Sequence, residues 1–154
     1  MTRPNGFTYI ELIIATFILA ILAAAVVPVA EVTAKRAKEV ELRRDLRILR
    51  DAIDAYKQSV DLGLIGGSDV ELGSEGYPPD LQTLVEGVNQ VGAVDKKLKF
   101  LRRVPIDPMT HSPEWGLRSY QDEPDSRFWG GQNVYDVYTK SNETALDGTR
   151  YGDW

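Results

Sequence analysis

One glutamate, Glu11, stands at the head of an apolar run: Leu12 to Ala30 carries no charged side chain for 19 residues. On insertion scales a charge at the centre of a membrane helix costs on the order of 2.5–3.5 kcal/mol, so this carboxylate needs a compensating partner. Other reactive chemistry is sparse. The single histidine, His111, leaves little room for histidine catalysis or a multi-histidine metal site. In MTHSPEW it reads as an exposed turn residue without an organised partner. Cysteine is absent, which excludes disulfides, thiolate metal sites and a cysteine nucleophile. No Gly-x-x-x-x-Gly-Lys loop marks a nucleotide-driven motor. Trp115, Trp129 and Trp154 read as core and edge packing rather than a ligand box. Oxygen chemistry remains. From Val104 onward there are nine acids and four lysines or arginines, and the loop SNETALDG offers carboxylate, amide and carbonyl oxygens. Calcium takes six to eight such oxygens; the alternative is a polar solvated loop with a capped turn, and no EF-hand pattern is present.

These residues must be positioned by a chain of 154 residues, enough for one domain with a modest core. Its formal charge of −5 argues against a nucleic-acid partner. Met1 to Gly6 is short and polar, with Arg3 as its one base. A secretory signal would place a small-residue cleavage site after the apolar run. Ala23, Ala24 and Ala25 imitate one, but the helical pattern continues past them. Leu42, Leu46, Leu49, Ile53, Tyr56 and Val60 then alternate in steps of four and three, one stripe on a helix face. Glu39 with Arg43, Arg47 with Asp51, and Arg50 with Asp54 fall at i,i+4 and read as a solvated face. Pro28 is the one helix breaker, expected to kink or loosen a turn. A continuous helix from Phe7 to about Leu62 would run roughly 84 Å, so its first half is expected to protrude and to need lipid or other copies of itself as cover.

The remainder predicts smaller elements. LGLIGGSDVELGSEGYPPDL reads as a loop. Asp80 is expected to cap a short helix through Val85. Pro105 and Pro108 force extended or turn geometry on Val104 and Asp107. Trp115 to Gln121, with Leu117 and Tyr120 inward, and Asn133 to Thr139 read as strands. Asp147-Gly148 offers a tight turn. The expected fold class is α+β: a long N-terminal helix packed on a small antiparallel sheet.

Gly6-Phe7-Thr8-x-x-Glu11 followed by the apolar run with Pro28 resembles the N-terminus of type IV pilins and pseudopilins. The resemblance implies a leader at 1–6, a transmembrane and assembly helix at 7–30, an amphipathic continuation at 31–62 and a soluble, pilin-like head at 63–154. It implies that a prepilin peptidase cuts between Gly6 and Phe7 and methylates the amine of Phe7. Losing Arg3 with that leader would take the formal charge from −5 to −6. It further implies that Glu11 attracts the N-terminal ammonium of a neighbouring subunit during filament assembly, an electrostatically sound pairing in lipid. Gly76-Tyr77-Pro78-Pro79, the stretch Leu101 to Pro108, Val134 to Tyr138 and the Asp-Gly ending resemble the G-type major pseudopilins of type II secretion. Those proteins hold their last loop with bound calcium. Ser141, Asn142 and Asp147 fall roughly where the family's ligands do, although the usual Ser-x-Gly-x-Asp-Gly stretch is not reproduced.

The expected function is therefore a non-enzymatic subunit that polymerises with itself into a periplasmic pseudopilus driving export across the outer membrane. Minor pseudopilins, an inner-membrane assembly platform and membrane lipid are the other implied partners. A type IV pilus subunit is the nearest alternative. A signal-anchored extracytoplasmic enzyme or binding domain is the other. The implied location is the inner membrane, N-terminus cytoplasmic and head periplasmic. Lys35, Arg36 and Lys38 beyond the apolar run oppose a simple positive-inside count, which long following domains weaken.

Overall fold

The computed structural model describes residues 6–67, 70–93 and 96–154, without the side chains of 25 and 27. Of the expected leader, only Gly6 falls among them. The chain divides into two units, Met1–Ala37 and Lys38–Trp154, and helix α1 (Tyr9–Asp61) contributes to both.

In the first unit, α1 starts where the Leu12 amide reaches the Thr8 carbonyl at 3.2 Å. Pro28 lies within α1, which does not break there. The ring lacks a donor, so the Ala24 carbonyl goes without its usual amide partner. Hydroxyls in the apolar stretch are absorbed locally: Thr16 donates to Leu12 O at 3.0 Å and Ile13 O at 2.9 Å, and Thr33 to Val29 O at 2.8 Å. Every described side chain from 6 to 34 is exposed. Among the described residues, α1 is the one helix long and apolar enough to cross a membrane, and none of that window is buried.

The second unit is built on the later part of α1. Leu42, Leu46, Leu49, Ile53 and Tyr56 are buried, and Val60 is half-buried. Spacing alone determines this, since residues three and four apart share one helix face. Gly63, at φ +69°, ends α1: its amide reaches Val60 O while the Leu64 amide reaches Ser59 O, both at 2.9 Å. Helix α2 (Leu81–Glu86) opens on Asp80, whose carboxylate accepts from the Thr83 amide at 2.7 Å and its hydroxyl at 2.9 Å. Gly87, at φ +79°, ends it, and a Cβ there would lie 2.6 Å from Leu98 O.

The expected antiparallel sheet takes the form of two separate ladders. Strands β1 (Val88–Asn89) and β2 (Lys97–Leu98) form one, and β3 (Gly116–Arg118) and β4 (Asp136–Tyr138) the other, with Leu117 opposite Val137. Both strands expected at 115–121 and 133–139 are thus much shorter. Beyond β3 the ladder is replaced by side-chain bonds from Asn133, which is fully buried: its Oδ1 accepts the Tyr120 amide and its Nδ2 donates to Gln121, each at 3.0 Å.

Along β3 the expected facing is met in part. Leu117, opposite the buried Val137, is half-buried and packs against the core, whereas Tyr120 is exposed, against the expectation that it lies inward. Arg118, on the other face, is buried as well, and the cause is polar. Arg118 Nη1 pairs with Asp136 at 3.1 Å, its Nε donates to Ser126 O at 2.9 Å, and its guanidinium covers the Tyr138 ring at 4.3 Å. An arginine so satisfied tolerates burial. The α1 stripe joins Leu84, Leu101, Trp115, Val134, Val137 and Tyr151 in one core. Trp115 is therefore core, with its Nε1 donating to Pro105 O at 2.9 Å, while Trp129 sits at the edge, 41% exposed.

Candidate functional site

Two sets of residues carry the expected chemistry, one in each unit. In the first, Gly6, Phe7 and Glu11 are all exposed, Phe7 at 84%. Thr8 and Glu11 bond reciprocally: the Glu11 amide reaches the Thr8 hydroxyl at 3.4 Å, and the Thr8 amide reaches the Glu11 carboxylate at 3.5 Å. This is a capping box, Thr-x-x-Glu, which satisfies two otherwise orphaned amides at the start of α1. The Thr-x-x-Glu spacing ahead of an apolar run is itself the sequence signal for this box. Both distances lie at the long limit of a hydrogen bond, so among the described residues the Thr8 amide holds the carboxylate only loosely.

In the second unit, Thr144 bridges to Arg150 and closes a tight turn over Ala145 to Thr149. The Ala145 amide reaches Thr149 O at 2.7 Å, the Gly148 amide reaches Ala145 O at 3.1 Å, and Gly148 holds φ +88°. The Asp-Gly pair thus makes the expected turn. Ser141 is buried, whereas Asn142 and Asp147 are exposed. The Ser141 hydroxyl accepts from the Glu143 amide at 3.3 Å. Asp147 Oδ1 accepts from the Thr149 hydroxyl at 2.6 Å and its amide at 2.9 Å, while Oδ2 lies 3.6 Å from Arg43 Nη2. The Thr149 hydroxyl, then its amide, then Arg43 hold the Asp147 carboxyl below its usual range. Among the described residues, no three histidine, cysteine or acidic side chains gather as a metal cluster. A calcium cage needs several free carboxylate or carbonyl oxygens converging. Of Ser141, Asn142 and Asp147, Asp147 brings the one carboxylate, whose oxygens here meet Thr149 and the Arg43 guanidinium.

Sequence reasoning missed what does hold this segment. Tyr151 is buried and donates its hydroxyl to Glu39 Oε1 at 2.9 Å. The same oxygen accepts the Leu146 amide at 2.8 Å. Glu39, Arg43 and Arg50, expected on a solvated face, instead reach the 136–154 region, and Glu39 and Arg50 are half-buried. Repetition of charge at i,i+4 could not reveal this, because the partners lie about a hundred residues away in sequence.

Burial first, and then the bond to Glu39 and its charge, push the Tyr151 phenol well above its usual range. A raised pKa favours the neutral phenol in the folded state. Its stabilisation is therefore complete below the unfolded value of about 10 and is lost as pH rises beyond it. Glu143 and Asp147 act in the same direction on Tyr151, and burial also raises Tyr77. The melting temperature is expected to fall with pH above about 10 in the wild type, and distinctly less steeply in Tyr151→Phe; equal slopes would contradict this assignment.

His111 is exposed in a turn at φ +56°, its amide on Asp107 O at 2.8 Å, as the sequence implied. Comparison of the chain with protein-family models, with curated proteins and with solved structures gave no match.

Proposed function

We propose that the chain is a structural, non-enzymatic subunit of pilin-like fold, a major pseudopilin that polymerises through its apolar helix into a periplasmic filament of a type II secretion system. One observation carries the reading. A single helix opens directly after Gly6-Phe7-Thr8, carries Glu11 in its first turn, and every described apolar side chain from Phe7 to Val32 is exposed. That surface needs lipid before assembly and sister helices afterwards, because large contiguous apolar surface does not persist in water. Glu11 then has a purpose. The Thr8 amide holds it only loosely, and an ammonium on Phe7 of the next copy, created by cleavage after Gly6, would neutralise it in a medium where neutralisation matters most. The head, 38–154, would lie in the periplasm, with the start of the chain on the cytoplasmic side. Prepilin peptidase, minor pseudopilins and an inner-membrane assembly platform are the partners this role requires.

Intact-mass measurement with N-terminal sequencing of the protein from its native membrane tests the reading. The expected species starts at Phe7 and carries one extra methyl group. A mass retaining residues 1–6 in a host with active prepilin peptidase overturns it. Loss of secreted enzymes on deletion supports a secretion filament; intact secretion with loss of long surface fibres would reassign the subunit to a type IV pilus.

A further inference from the structure

We infer that the 141–154 segment is locked to α1 by a metal-free polar clamp, in which Glu39, Arg43 and Arg50 grip the turn at Asp147, Tyr151 and Trp154, and that calcium plays no part in holding it. The inference concerns the head alone and stands whether or not the chain forms filaments.

Residues 39, 43 and 50 fall at i, i+4 and i+11, within about 40° of one another around a helix of 3.6 residues per turn. One face of α1 thus presents an anion and two cations in line. Glu39 Oε1 takes two donors from the segment, the Leu146 amide and the Tyr151 hydroxyl. Arg43 faces Asp147 on one side and lies over the Trp154 ring at 3.9 Å on the other. Arg50 Nη2 donates to the backbone oxygen of Trp154 at 2.8 Å and to Val137 O at 3.2 Å, while its Nε holds Asp136 at 2.7 Å. Within the segment, Trp154 meets the Tyr151 ring edge-on at 5.1 Å and its Nε1 donates to the Thr149 hydroxyl at 2.7 Å.

The clamp does what a bound ion would do. It draws backbone amide, carboxylate and backbone oxygen from one loop onto fixed points. It also opposes an ion electrostatically. A divalent cation at Asp147 would have to displace the guanidinium of Arg43 and then sit beside it, a like-charge encounter that the surrounding donors do nothing to relieve.

The test uses the full chain in detergent. Thermal unfolding and hydrogen exchange are measured in EGTA and in millimolar calcium chloride. The melting temperatures are expected to agree to about 1 °C, and the Leu146 amide to be equally protected in both. A calcium-dependent rise of about 10 °C, as a site at a hundred times its Kd would give in a domain of this size, overturns the inference. So does slower Leu146 exchange on adding calcium. Glu39→Ala is expected to speed Leu146 exchange about tenfold or more in either buffer, since the amide loses its acceptor. If that variant does not fold, Arg43→Gln, at a position more than half exposed, provides the second reading: Trp154 is released and exchange around 146–151 quickens. Unchanged exchange in Arg43→Gln, or rescue of either variant by calcium, sinks the clamp.

Discussion

A Glu11→Val chain is expected to enter the membrane, lose its leader at Gly6 and fold its head normally, yet yield almost no filament. The side chain is exposed and, among the described residues, its hydrogen bond is to the Thr8 amide, so the substitution leaves the core untouched. Its local effect is loss of the capping box, about 1 kcal/mol confined to the first turn of α1. The larger effect lies between molecules. If each junction depends on a carboxylate neutralising an ammonium in lipid, removing the carboxylate strands the ammonium at roughly 2.5–3.5 kcal/mol, about a hundredfold per junction. A polymer repeats that penalty at every added subunit. Electron microscopy of sheared fibres, with processing verified by mass, reads the outcome. Glu11→Asp, which keeps the charge on a shorter stem, should give intermediate amounts. Wild-type fibre yield from Glu11→Val would refute the role assigned to this residue.

The second large effect is expected at Asp136. Its two oxygens take different arginines: Oδ1 receives Arg50 Nε at 2.7 Å and Oδ2 receives Arg118 Nη1 at 3.1 Å. The side chains of Arg118 and Asp136 are 10% and 24% exposed, and Arg50 is 38% exposed. Water therefore screens the Arg50 arm more than the Arg118 arm. Asp136→Ala leaves the buried guanidinium of Arg118 without its anion, and breaking such a pair from one side typically costs 3–5 kcal/mol. Allowing for the partial exposure, about 3 kcal/mol is expected, a drop of roughly 10 °C in melting temperature. The double variant Asp136→Leu with Arg118→Met removes both charges and should recover part of the loss, because two apolar side chains need no partner. A loss below about 1 kcal/mol in the single variant would reduce the pair to a surface contact.

What could be read from the sequence follows how far each residue's cause lies from it. The Asp80 cap acts through an amide three residues away and was legible at sight. So was the Leu42 to Tyr56 stripe, which needs only the helical period, and the Asp147-Gly148 turn, which needs only a residue at ease with positive φ. Arg118 was not legible, because a buried cation betrays itself only through an anion 18 residues on. Glu39 was further still from view, its donors standing 107 and 112 residues away. β1 and β2 are two residues each, too short for any alternation of side chains to accumulate. Of the chemistry, Gly6, Phe7 and Glu11 are a linear pattern and could be named at once. The loop at 141–154 could be described by its oxygens, but not by which partners those oxygens had already taken.

The indole of Trp154, pressed under a guanidinium and edge-on to a buried phenol, gives the molecule an optical gauge of its own. Trp115 reports the interior and Trp129 the rim, so the third chromophore alone brightens or shifts its colour when the tail lifts from the rod while the interior stays dry.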